Sequence, residues 1–233
     1  MSVTAGDERQ AATTLNPKAL VDYATGSHWR AVGVLLIVSL LCFLPGFFSI
    51  PPVDRDEARF AQATKQMVES GDYVDIRFQH EVRYKKPVGI YWLQAAIVRG
   101  AEALGVEDAR TRIWLYRIPS LVGAIGAVLA TYWAALAFLS RRGAVLAALM
   151  MASCVLLALE RLLAKTDAML LFTIVAAMGA LARVYLPAAR DALDDAARWK
   201  LAAVFWTAMA AGVLLKGPVN LMVVGLAVLT LVV

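Results

Sequence analysis

The chain has 233 residues, 61% of them hydrophobic, and a formal net charge of +5; its mean hydropathy is +0.66. A soluble domain is nearer to about 45–50% apolar, so composition excludes an ordinary soluble globular protein. Several runs carry no charge at all, and a helix needs about 20 apolar residues to cross a bilayer.

In chain order, residues 1–28 are polar and turn-rich. They lack the basic start and small-residue cleavage site of a signal peptide and read as a flexible cytosolic tail. The first apolar run, 31–50, is uncharged and reads as a retained anchor. Further spans are expected at 118–140, 143–159, 168–186, 201–215 and 219–233, six in all. The last stops on the final residue without a polar flank, so 29–233 reads as the N-terminal part of a transmembrane domain whose C-terminal portion is absent. The expected fold is an all-α polytopic membrane bundle with a large first outer loop, 51–117, containing amphipathic helices.

That loop opens with Asp54-Arg55-Asp56-Glu57. Three carboxylates at a membrane exit are costly to hold near lipid and call for a reason. A helix is predicted over 56–70, with Phe60, Ala63 and Met67 at helical spacing and Gly71 as its stop. Asp54 fits the N-cap, with Glu57 three residues on as in a capping box. Capping accounts for those two but less well for Asp56. A carboxylate there is favoured by the helix dipole and suits a metal, a cation or a proton to be accepted. After an irregular stretch over 71–82 comes Arg83-Tyr84-Lys85-Lys86-Pro87. Pro87 suits the first turn of a second helix, with Ile90, Leu93, Ile97, Ala101 and Leu104 on one face. Such a helix lies in the membrane interface, with Tyr91 and Trp92 at headgroup depth. Lys85 and Lys86 then either feel anionic lipid generally or clamp a particular phosphate.

Arg141-Arg142 and the loop holding Arg183, Arg190, Arg198 and Lys200 are placed in the cytoplasm by the excess of positive charge there. The N-terminus is then cytoplasmic. The 51–117 loop, the segment around Glu160, Arg161, Lys165 and Asp167, and Lys216-Gly217-Pro218 all fall outside. Three polar clusters distant in sequence converge on one membrane face.

These clusters carry a resemblance. Pro52-x-Asp54-x-Asp56-Glu57-Ala58-Arg59-Phe60-Ala61 is similar to the first-loop motif of the bacterial aminoarabinose transferase and protein O-mannosyltransferase superfamily. Met67-Val68-Glu69-Ser70-Gly71-Asp72-Tyr73 and Arg83-Tyr84-x-Lys86-Pro87-x-x-x-Tyr91-Trp92-Leu93 follow in the same order. Arg117-Ile118-Pro119-Ser120, Arg161 through Leu170, and Lys216-Gly217-Pro218 resemble later pieces of it. The resemblance implies a GT-C fold, a polyprenyl-phosphate sugar donor and an extracytoplasmic acceptor. That acceptor is a lipid A phosphate in the aminoarabinose transferases, and a protein hydroxyl or another glycolipid in other members. It implies Asp56 at the catalytic centre, Lys86 at the donor phosphate and Asp167 as the acid of the later outer cluster. A divalent metal is linked in the family to a Glu at the position of Lys85. A lysine cannot replace that ligand, so no cofactor is assigned with certainty and the chain departs there from the family's metal site.

The expected site thus has Asp56, Glu57 and Asp167 as catalytic groups. Asp54, Arg59, Tyr84, Lys85, Lys86, Tyr91, Arg161, Lys165 and Lys216 are expected to bind substrate. Asp56 accepts a proton from a hydroxyl acceptor or, with a phosphate acceptor already ionised, stabilises an oxocarbenium-like sugar. Lys86, Arg59 and Lys85 neutralise the leaving phosphate. The partners expected are the donor, a glycolipid such as lipid A or else a protein acceptor, and membrane lipids, with no nucleic acid. The location expected is a bacterial inner membrane with the site loops periplasmic. A transporter or scaffold for a lipid-linked sugar is the rival, but a transporter places ionisable groups near mid-membrane, whereas these charges gather at span ends.

Overall fold

The computed structural model describes residues 17–186 and 193–232. Residues 1–16 of the expected tail and Arg190 of the expected inner loop lie outside them. The rest of the tail is not wholly irregular: Pro17–Thr25 is a helix, α1. It is tied to the start of a later helix by Arg142 pairing with Asp22 at 2.8 Å and by Arg141 donating to the Thr25 carbonyl at 2.9 Å.

The first apolar run folds as α2, His28–Phe43. It ends short of residue 50 because Pro45 and Gly46 follow, the latter at a positive φ of 77° that an L side chain rarely adopts. In the outer loop come α3 (Arg55–Ser70), a hairpin of β1 (Arg77–Phe78) and β2 (Glu81–Val82), and α4 (Gly89–Ala103). α5 (Ile113–Ala135) begins five residues before the expected boundary and takes Arg117 inside. The uncharged run 143–159 is not one helix. It is α6 (Arg141–Ala152) and α7 (Val155–Glu160), parted at Ser153, whose hydroxyl turns back to the Met150 carbonyl. α8 (Asp167–Tyr185), α9 (Asp195–Lys216) and α10 (Val219–Val232) follow.

Among the described residues α5, α8 and α9 are long and apolar enough to cross a membrane; α2 and α10 are shorter apolar helices. At about 1.5 Å per residue, α2 is about 24 Å long. α5 is the axis of the bundle. A Cβ on its Gly123 would stand 2.5 Å from the Met169 nitrogen of α8, and one on Gly179 of α8 would stand 2.6 Å from the Trp133 ring of α5. Close approach through small residues is how helices associate where lipid removes the hydrophobic drive. Ala31, Leu35 and Phe43 of α2 pack with Ala124 and Val128 of α5 and Ala144 and Ala148 of α6.

α3 and α4 sit across one end of this bundle. Phe60, Met67, Ile90 and Tyr91 pack with Leu215 of α9 and Met169 of α8, and a Cβ on Gly89 would meet the Leu214 carbonyl oxygen at 2.6 Å. This docking turns α4 from its expected orientation. Its buried face is Gly89, Ile90, Tyr91, Gln94, Ala95, Val98 and Ala101, while Leu93 and Leu104 are exposed. A polar Gln94 is buried there because the backbone beneath it offers carbonyl partners.

Candidate active site

The floor of the site is a set of buried polar groups built around one fully paired ion pair. Glu57 and Arg117 are both 0% exposed. The Arg117 Nε donates to Glu57 Oε1 at 2.7 Å and its Nη2 to Oε2 at 3.2 Å. The remaining Arg117 donors reach the carbonyls of Ile50 and Pro51. Glu57 Oε1 also accepts the Ala164 N–H at 3.2 Å. One ion pair therefore joins the exit of α2, the first turn of α3, the head of α5 and the segment between α7 and α8.

That segment, 161–166, is irregular backbone at a bundle end, and backbone groups of residues 163–165 are met by side chains of the protein. The Ser120 hydroxyl lies 2.6 Å from the Leu163 carbonyl and 3.1 Å from that of Lys165. The Gln94 amide donates to the carbonyls of Tyr116 and Ala164, and Thr64 donates to Gln94 Oε1 at 2.6 Å. Arg161 is buried and donates to the Pro45 carbonyl at 2.9 Å.

Above this floor lies a second, open set of charges. Asp54 caps α3 as its sequence predicts, Oδ1 accepting from the N–H groups of Asp56 and Glu57. Its other oxygen is 2.8 Å from Lys165 Nζ. The Lys165 ammonium holds Asp54 below its ordinary value, with the two N–H groups adding to the effect and desolvation opposing it. Burial alone would lower Lys165; the bond from Asp54 and the charges of Asp54, Glu160 and Asp56 outweigh it and raise it. Asp56, more than half exposed, holds Arg59 at 3.2 Å. Asp167, at the start of α8, pairs with Lys216, at the end of α9. Glu160 completes the group. Burial pushes its carboxyl upward, Asp167 adds to that, and Lys165 and Lys216 pull the other way.

The structure thus brings together Asp54, Asp56, Arg59, Lys165, Asp167 and Lys216 from the expected set, and gives the others surroundings of their own. Glu57 does not close a capping box or face outward; Arg117 holds it in the interior. Tyr91 does not present its ring to the surroundings. It is fully buried against the Phe60 ring, its hydroxyl accepting from Arg83 Nε at 3.3 Å. Tyr84 belongs to the hairpin, donating to Asp75 at 2.6 Å. Arg161 is part of the floor. Lys85 is exposed and Lys86 half-buried, in the turn leading to α4, and neither has an ion-pair partner among the described residues. Arg117 and Glu160 carry roles that the sequence does not assign to them. A lone arginine at the head of an uncharged run is the signal that points to Arg117. Glu160 has no such mark, since its neighbours in sequence make it one loop charge among several.

No group of three His, Cys, Asp or Glu able to hold a metal ion occurs among the described residues.

Apolar helices capped at one end by a partly open carboxylate–lysine cluster are the build of a multi-pass membrane protein. The chain belongs to the Dolichyl-phosphate-mannose-protein mannosyltransferase family, whose model matches residues 33–233. Its fold is the GT-C fold of ArnT from Cupriavidus metallidurans. The apo structure of that protein aligns at a TM-score of 0.73 and 23% identity, over 87% of this chain and 36% of that one. The structure of the same protein bound to undecaprenyl phosphate aligns at 0.73 and 22% identity, over 88% and 36%. The chain therefore spans little more than a third of that relative. No curated protein sequence matches it significantly.

Proposed function

We propose that the chain belongs to a membrane glycosyltransferase that moves a sugar from a polyprenyl-phosphate donor to an acceptor at the extracytoplasmic face of a bacterial inner membrane, with the N-terminus cytoplasmic. The observation that carries this reading is the convergence of Asp54 and Asp56, Glu160 and Lys165, and Asp167 and Lys216 at one bundle end. Carboxylates there serve a sugar carbon that gains positive charge as its phosphate departs. Lys86, without an ion-pair partner among the described residues, and Arg59 serve the leaving phosphate. Family membership and the undecaprenyl phosphate bound by ArnT support the donor class. A glycolipid, lipid A first among candidates, is the acceptor we favour.

Asp56 is the carboxylate we place nearest the chemistry, because it is exposed, at a helix N-terminus and held by only one cation. The test supplies full-length protein in membranes with extracted polyprenyl-phosphate sugars and reads acceptor masses, wild type beside Asp56→Asn. A mass increment on lipid A or another glycolipid that disappears in the variant is the expected result. Well-expressed wild-type protein that modifies no lipid and no protein acceptor removes the reading.

A further inference from the structure

Glu160 is set apart from the other carboxylates of the site. Asp54 has Lys165, Asp56 has Arg59 and Asp167 has Lys216, but Glu160 has no ion-pair partner among the described residues. Its Oε2 is sealed from solvent and meets no hydrogen-bond donor. The residue lines a groove of about 230 Å³ between α6–α7 and α8. The groove's walls are Met151, Leu156, Leu157, Ala168 and Leu171, and Asp167 is its second carboxylate.

An unsatisfied buried acceptor costs free energy, and Glu160 Oε2 is the one carboxylate oxygen so placed among the described residues, beside a groove in which a donor can be bound. Two features say which donor. The groove is apolar except for Cys154 and the two acids, so it suits a neutral group on a lipid-like body. The groove's two ionisable side chains beside Cys154 are carboxylates, so its lining offers a phosphate no cation. A hydroxyl is neutral, donates one hydrogen bond, and must lose its proton when its oxygen attacks a sugar carbon.

We propose that Glu160 takes the proton from a hydroxyl acceptor bound in the groove it shares with Asp167. This rests on the glycosyl-transfer reading above and adds to it that the acceptor glycolipid attacks through a hydroxyl and not through a phosphate. In the step, the hydroxyl oxygen forms a bond to the anomeric carbon and the carbon–oxygen bond to the polyprenyl phosphate breaks. The phosphate leaves with that electron pair, and the hydroxyl proton passes to Glu160. The charges facing Glu160 are Asp167 from α8, Lys216 from α9, Lys165 from the 161–166 segment and Asp54 from the α3 cap. Two carboxylates in one site with different surroundings divide acid–base and electrostatic work between them. Here the exposed, Arg-paired Asp56 supports the sugar and the partly buried Glu160 handles the proton.

The test records transfer rate against pH for the full-length protein in lipid vesicles, with an acceptor lipid carrying hydroxyls and no phosphate. Wild-type rate rises with pH through the ionisation of Glu160. Glu160→Gln loses that acid limb and about 100-fold or more of the rate at neutral pH. Glu160→Asp keeps the limb at a reduced rate, and Asp167→Asn moves it to lower pH. An unchanged acid limb in Glu160→Gln overturns the proposal, as does a wild type that modifies only phosphate-terminated lipid. Protonation of the carboxyls is read separately by labelling with a hydrophobic carbodiimide, which reacts with their protonated form. Labelling of Glu160 ahead of Asp54, Asp56 and Asp167 is expected whether or not sugar transfer is found. Labelling that spares Glu160 also overturns the proposal, so failure of the transfer reading and failure of this one are distinguishable.

Discussion

Asp56 and Glu57 are sequence neighbours with opposite fates, and each belongs to a different population of charge. Glu57 joins the closed set, where Arg117 uses its donors on one carboxylate and on backbone carbonyls. Asp56 joins the open set, where each carboxylate has at most one cation and room beside it. The difference teaches that charge at a membrane face is no single signal. A buried pair whose partners are all satisfied holds elements together, and a partly satisfied cluster over it is free to meet a substrate.

The comparison breaks most visibly if the closed set is dispensable. Arg117→Ala leaves Glu57 buried without its cation, and losing one partner of a buried pair costs about 3–5 kcal/mol. Thermal unfolding in detergent is expected to show that loss; a variant as stable as wild type would mean that the closed set holds nothing. A smaller effect is expected where geometry alone is disturbed. Gly123→Ala puts a Cβ 2.5 Å from the Met169 nitrogen, two residues from Asp167, and overpacking of that kind costs about 1–3 kcal/mol. It is expected to lower transfer as well as stability, because it displaces Asp167 and Lys216 from Asp54 and Lys165. Asp54→Ala removes an N-cap, at about 1 kcal/mol, while Asp54→Asn keeps the cap and loses only the Lys165 pair, worth at most about 1 kcal/mol at a surface. Unfolding curves of the two variants separate these terms.

The smallest expected effect is one of sign. Asp54 ionises more readily folded than unfolded, so it contributes stability above its unfolded value that is lost as pH falls through its folded one. Glu160 is the reverse: its folded state holds the proton more tightly, so its contribution is greatest below the unfolded value and is lost as pH rises through the folded one. Glu160→Gln is therefore expected to raise the unfolding temperature slightly at pH 8 and not at pH 4, and Asp54→Asn to lower it at pH 8 and not near pH 2. Parallel shifts in both variants would contradict the contrast drawn between them.

Much of this is legible in the sequence. The long apolar runs at 118–140 and 201–215 mark α5 and α9, and Asp54 and Gly71 mark both ends of α3. The grouping of three distant polar clusters at one end follows from span counting and the distribution of Arg and Lys. What is not legible depends on partners far along the chain. Arg117 finds Glu57 sixty residues away, and nothing local says which of three adjacent carboxylates it will choose. Helical spacing makes Tyr91 interfacial, but docking of α4 on Leu215 and Met169 turns that side inward and Leu93 outward. Continuous hydropathy across 143–159 gives no sign of the break at Ser153, where a side chain competes for a backbone carbonyl. Glu160 stands apart only because Asp54, Asp56 and Asp167 each hold a cation, which is a fact of three dimensions.

The division between the two sets is tested most directly by measuring Asp56→Asn and Glu57→Gln side by side in the full-length protein, for both sugar transfer and thermal stability. Asp56→Asn is expected to lose about 100- to 1,000-fold in transfer and to unfold at the wild-type temperature, whereas Glu57→Gln is expected to unfold well below it. Normal transfer by Asp56→Asn, or a stable Glu57→Gln whose only defect is in transfer, would contradict that division.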